Sequence, residues 1–396
     1  MDDVLLVRGV RPWGGAEADI RVEGGRITAV GAGLAAPEGA RVIEGAGRIA
    51  IPGLVEAHTH LDKNMLGLPW YRNEVGPRLI DKIDNERLNK RRLGIEPGTQ
   101  SMRQAVRSLA YGSTHIRSHV DVDTEHGMWG IEGVMATRDA LRDVQFIELV
   151  AFPQSGLLVR PGTLELLDQA LAMGAEVVGG LDPCSMDRDP KGHLDAVFGL
   201  SQKHGRPVDI HLHEPGEMGG FSMELIVERT RALGMAGRVV VSHAFCLGAP
   251  EMDGLIEAVA AAGIAIMTTG APSRPVPPVA KLRRAGVVVC AGNDGIRDTW
   301  SPYGNGDMLE RAMILGLRNN LRRDDEVEMA LRVCTEGGAA AMGVEGYGLD
   351  VGCWADLVLL PAESVASLVV DRSADRMVIR RGRIVAENGV AVVGAA

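Results

Sequence analysis

Apolar and polar positions follow three rhythms along the chain. Near the start, residues 4–7 are apolar, Ile20-Arg21-Val22 alternates, Gly24-Gly25 marks a turn and residues 26–30 return, which is the pattern of a β-hairpin. The far end has the same texture. Residues 355–360 form a buried-type run, and 376–380 and 383–386 flank Arg381-Gly382 as a second hairpin. Between these ends, near-continuous Val/Ile runs alternate with helical spacing such as Leu164, Leu167 and Leu171.

The middle offers eight candidate strands, at residues 54–60, 114–121, 145–152, 176–181, 207–213, 238–243, 264–269 and 287–294. Runs apolar on both faces are what strands covered on both sides require. Each is followed by room for a helix, so the count predicts a (β/α)₈ TIM barrel, an α/β fold; an open doubly wound sheet is the alternative. The two β-rich ends are expected to pair into a small β-sandwich domain. The predicted division is 1–52 and 344–396 for that domain and 53–343 for the barrel.

Composition narrows the function. A formal charge of −10 disfavours nucleic acid, whose phosphates need Lys and Arg to neutralise them. The five cysteines, Cys184, Cys246, Cys290, Cys334 and Cys353, are scattered with no CxxC pair, as in a reducing cytosol. The acidic start Met1-Asp2-Asp3 lacks a secretion pattern, and the most apolar stretch, residues 258–267, is too short to span a bilayer. A soluble cytoplasmic protein with no membrane partner is expected.

A barrel gathers its chemistry at the C-terminal ends of its strands. Here the candidate strands end in His58-Thr59-His60, in His211-Leu212-His213-Glu214, in Ser242-His243 and in Asn293-Asp294. Residues i and i+2 of a strand share a face, so His58 and His60 project together. His211 and His213 form a second such pair, of which both need not be ligands. Three imidazoles with Asp294 make an N/O site suited to one divalent ion, Zn²⁺ or Fe²⁺, which lowers the pKa of a bound water towards about 7. His243 is expected to shuttle a proton and Glu214 to carry protons to a leaving amine.

The segment Pro52-Gly53-Leu54-Val55-Glu56-Ala57-His58-Thr59-His60-Leu61-Asp62 resembles the first-strand motif of the amidohydrolase superfamily. The likeness continues through Ser118-His119-Val120-Asp121-Val122, Phe152-Pro153-Gln154-Ser155-Gly156, Val241-Ser242-His243, Gly292-Asn293-Asp294 and Asp298-Thr299-Trp300. It is similar to the branch of cytosine deaminase and the N-isopropylammelide isopropylaminohydrolases. The resemblance implies His58, His60, His211 and Asp294 as metal ligands, Glu214 as the proton-shuttling acid and His243 as the group orienting the water. It also implies Gln154 against the ring's amide edge, Trp300 as an aromatic wall, His213 as a neighbour of the metal rather than a ligand, and a homo-oligomer.

Three positions qualify the likeness. Gly295 follows Asp294 where cytosine deaminase has a second, ring-reading aspartate. Lys63 follows Asp62 as in the isopropylaminohydrolase, and could meet a carbonyl or anionic group. Glu214 matches the deaminase. The segment 176–181 holds no lysine, which disfavours the two-metal branch built on a carbamylated lysine. The expected activity is hydrolytic deamination of a cytosine-like pyrimidine or a triazine. The alternatives are N-alkylamine or cyclic-amide hydrolysis at the same site, and a non-catalytic ligand-binding scaffold.

Overall fold

The computed structural model describes residues 4–272 and 274–392. The acidic tripeptide at the start, residue 273 and the last four residues of the predicted terminal domain lie outside the described residues.

Five strands come first: β1 (Leu5–Pro12), β2 (Ala18–Glu23), β3 (Arg26–Gly31), β4 (Arg41–Glu44) and β5 (Ile49–Pro52). Eight follow in the middle: β6 (Leu54–Thr59), β7 (Ser113–Asp121), β8 (Phe146–Phe152), β9 (Val177–Leu181), β10 (Val208–His211), β11 (Val239–Ser242), β12 (Ala265–Thr268) and β13 (Val289–Ala291). The chain ends in β14 (Leu357–Leu360), β15 (Met377–Arg380), β16 (Arg383–Glu387) and β17 (Val390–Ala391).

Strands β6 to β13 pair in sequence order, every pair parallel. The sheet closes on itself where Asp294 N donates to His58 O (2.9 Å) and Thr59 Oγ1 donates to Asp294 O (2.9 Å). Gly292 permits that closure, because a Cβ there would collide with the backbone and Cβ of His58. The expected barrel is therefore the fold, and the open sheet is excluded. Helices return between the strands. Thr163–Met173 buries Leu167 and Leu171 of the predicted stripe, with Leu164 only partly buried.

The strands stop sooner than their apolar runs suggested. β10 ends at His211, β11 at Ser242 and β13 at Ala291, so His213, His243 and Asp294 sit on the loops beyond. His243 and Asp294 adopt φ of 71° and 63°, left-handed conformations no strand can hold. Such conformations in non-glycine residues cluster where a site needs them.

The terminal strands form a second sheet in the order β17-β16-β15-β14-β5-β1-β2-β3, with β4 beside β1. β1 serves both halves, pairing with β2 through residues 5–7 and Val10, with β4 through residues 5–8, and with β5 through Arg11 and Pro12. Apolar side chains from both halves, among them Val7, Ile20, Ile43, Leu357 and Ile379, share one core. Among the described residues no helix is long and apolar enough to cross a membrane.

Candidate active site

The strand ends of β6, β10, β11 and β13 deliver five polar side chains to one place. Potential ligand atoms of His58, His211, His243 and Asp294 all lie within 4.8 Å of one another. His60 joins through the carboxylate, its Nε2 3.2 Å from Asp294 Oδ1, with His58 Nε2 3.6 Å from the same oxygen. His58 Nε2, both nitrogens of His211 and His243 Nε2 are buried without a hydrogen-bond partner. Buried polar atoms are rarely left so, and each orphan calls for an explanation. A cation among them supplies one, and the donor set of imidazoles and one carboxylate suits a divalent metal.

Electrostatics agree. Burial holds the imidazoles of His60, His211 and His243 below their usual range, so they are neutral, the form that ligates a metal. Burial alone would raise the Asp294 carboxyl, but His58 and His60 against it carry it well below the ordinary carboxylate range. The orientation of His58 is set from behind. Ser242 Oγ donates to Asp209 Oδ1 (2.7 Å), which leaves it to accept from His58 Nδ1 (3.0 Å). The proton is thus on Nδ1 and the Nε2 lone pair faces the cluster. Arg117 Nη1 in turn holds Asp209 (3.1 Å). His211 is held by stacking on Phe152, ring centroids 4.0 Å apart.

Above the cluster opens a cavity of about 570 Å³, lined by His60, His211 and Asp294 at its base and by Lys63, Gln154 and Trp300 on its wall. That volume is in the usual range for a small-molecule site. Lys63 is 3% exposed, and its Nζ reaches Gln154 Oε1 (2.5 Å), Asp121 Oδ1 (3.1 Å) and Glu86 Oε1 (3.4 Å). Burial would lower its pKa, but Asp121 and Glu86 hold the ammonium charged. Glu86 comes from helix α1 (Leu79–Asn89), and it also accepts from Trp300 Nε1, so one carboxylate ties together two wall residues.

Glu214 is placed differently from expectation. It is not among the residues lining the cavity. Its Oε1 accepts from the backbone N–H groups of Cys184 (2.8 Å) and Ser185 (2.6 Å), and its Oε2 accepts from Ser222 Oγ (2.5 Å). The carboxylate clamps the loop after β9. His213 lines the cavity instead. Asp182, on the clamped loop, accepts from His213 N (2.6 Å) and sits 2.8 Å from His213 Nδ1, and Nε2 has no hydrogen-bond partner among the described residues. His213 also stacks on His243, centroids 4.3 Å apart. Asp182 was not anticipated. Its only local signal is a carboxylate just past an apolar strand, the same signal that singled out Asp294.

A model of the amidohydrolase family matches residues 102–386. N-isopropylammelide isopropyl amidohydrolase of Pseudomonas sp. (strain ADP) is 33% identical over 360 residues, covering 88% of this chain and 89% of that protein. Among solved structures, N-isopropylammelide isopropylaminohydrolase from Burkholderia multivorans superposes with a TM-score of 0.96 at 50% identity, covering 98% of this chain and all of the other. The 5-methylcytosine deaminase from Klebsiella pneumoniae superposes with a TM-score of 0.83 at 27% identity, covering 96% and 97%. With the matched region taking in most of the barrel and much of the C-terminal β-structure, and relatives alike over nearly their whole length, the chain belongs to the amidohydrolase family.

Proposed function

We propose that the protein is a metal-dependent hydrolase that removes an amino substituent from a carbon of a small nitrogen heterocycle, a cytosine-like pyrimidine or a triazine. The observation that carries this reading is the set of orphaned imidazole nitrogens and Asp294 at the base of a cavity with a polar wall. In this reading His58, His60, His211 and Asp294 hold one divalent ion, zinc or iron. When bound, that ion supplies Lewis acidity and brings the pKa of a water towards about 7.

The chain's own groups then have separate tasks. His243 Nε2, 4.0 Å from Asp294 Oδ2, is placed with that carboxylate to take and hold the proton of the attacking water. His213, oriented by Asp182, presents Nε2 to the cavity and protonates the leaving nitrogen. The task expected of Glu214 passes to His213, because both Glu214 oxygens are already engaged. Lys63, Gln154 and Trp300 orient the ring.

A second reading is release of an alkylamine. It is supported by the 50% identity to a protein named for removing an isopropylamino group, and by apolar Leu79 and Ile314 on the cavity wall. The five free cysteines support a cytosolic location. The homo-oligomer rests on family likeness and is checked by light scattering. The deciding experiment is metal analysis of the purified protein coupled to a screen of aminopyrimidines, aminotriazines, their N-alkyl forms and cyclic ureas. Ammonia release supports the first reading, alkylamine release the second and ring opening a cyclic-amide hydrolase. Metal uptake with no turnover on any of them would leave a binding scaffold.

A further inference from the structure

The loop after β13 carries an acid that no step above uses. Asp298 is 4% exposed and lines the same cavity as Lys63, Gln154 and Trp300. Its Oδ1 accepts from the backbone N–H groups of Trp300 (2.8 Å) and Ser301 (2.8 Å), which fixes the side chain. Its Oδ2 accepts nothing among the described residues. Burial pushes its carboxyl up to about 6, with Lys63 pulling against that, so it is largely ionised at neutral pH. Its position is also exclusive. A Cβ on Gly295 would fall on Asp298 Oδ2, far inside contact distance, so the residue after Asp294 is bare because the Asp298 carboxylate stands in its space.

The rest of the wall is already committed. Lys63 takes Gln154 Oε1, which turns the amide's two N–H donors, rather than its oxygen, to a ligand. A ligand therefore meets a donor at Gln154 and a fixed, free acceptor at Asp298. The complementary edge is an acceptor on one side and an N–H on the other.

We propose that Asp298 is a specificity-determining residue whose Oδ2 accepts a hydrogen bond from a ring N–H, selecting heterocycles that carry a lactam edge, N–H beside C=O. This rests on the cavity being the substrate site proposed above. It is tested by binding rather than turnover, so the two can fail separately.

The probes are uracil and 1,3-dimethyluracil, which share a ring and carbonyls but differ in N–H groups, titrated calorimetrically into the metal-loaded protein. Uracil should bind at least tenfold more tightly, the range expected when a buried charged acceptor is left unpaired. Asp298→Asn keeps an oxygen for the two backbone donors and puts an NH₂ in place of Oδ2, so the tenfold preference should collapse towards one with metal content unchanged. Equal binding of the two ligands by the native protein, no binding of uracil, or an Asn variant that keeps the preference would each overturn the inference. The native comparison stands even if the variant fails to fold. Turnover of the heterocycle panel alongside unbiased binding would sink this inference and leave the proposed function intact.

Discussion

Single hydrogen bonds decide what the imidazoles here can do. His58 offers Nε2 to the cluster only because Ser242, itself donating to Asp209, accepts the hydrogen bond from Nδ1–H. Partners of this kind typically contribute about 10- to 100-fold to metal affinity. Ser242→Ala should therefore weaken metal retention by about that factor in a chelator competition, with the fold intact by circular dichroism; unchanged retention would remove the relay from the account. His213 is oriented by Asp182 in the same way, on the cavity side. His213→Asn should keep metal and melting temperature while turnover falls about 10²- to 10⁴-fold, the usual contribution of a general acid. Near-native turnover on any substrate found in the panel would exclude His213 as the proton donor.

At the scale of elements, the loop after β9 matters as much as the strand. Glu214 holds it by two backbone N–H groups and Ser222, and so holds Asp182 to His213. A glutamine can satisfy the same geometry, with its oxygen accepting both N–H groups and its NH₂ donating to Ser222. Glu214→Gln is thus expected to keep at least about a tenth of native turnover. Glu214→Ala leaves two buried N–H donors unpaired and should cost about 1–3 kcal/mol, read as a lower midpoint in denaturant. A Gln variant that folds normally but loses nearly all turnover would restore Glu214 to proton transfer. Local reading stops short here. A glutamate three residues past His211 resembles a proton carrier, and nothing local shows that its oxygens are taken by residues 184, 185 and 222.

For the whole molecule, the cluster is assembled from strands that span most of the barrel, and several of its nitrogens are buried unpaired. A metal that binds only the folded chain stabilises it by mass action, about 4 kcal/mol at a thousandfold excess over its dissociation constant. Stripping the metal by chelation should lower the melting temperature by several degrees, and zinc or iron(II) should restore it. A melting temperature indifferent to chelator would count against a resident ion.

Much of this architecture was legible one residue at a time. Strands covered on both faces are largely apolar, so eight candidate strands, several of them near-continuous Val/Ile runs, could be counted, and polar residues at their ends stood out as chemistry. That is why His58, His60, His211, His243 and Asp294 could be named before any coordinates. Strand ends were overextended at His213, His243 and Asp294, because apolarity marks burial and not the backbone turn that φ of 71° and 63° imposes.

Periodicity and burial are local consequences of chain geometry, so sequence alone determined the eight middle strands, the β-rich ends and which side chains gather at the strand ends, while closure into a barrel was decided by the bonds between Asp294 and residues 58 and 59. Which atom bonds to which is a contest among groups distant in the chain, settled only by packing. Tertiary structure therefore decided that Glu214 faces a loop, that Asp182 serves His213, that Glu86 binds both Lys63 and Trp300, and that Asp298 fills the space left bare at Gly295.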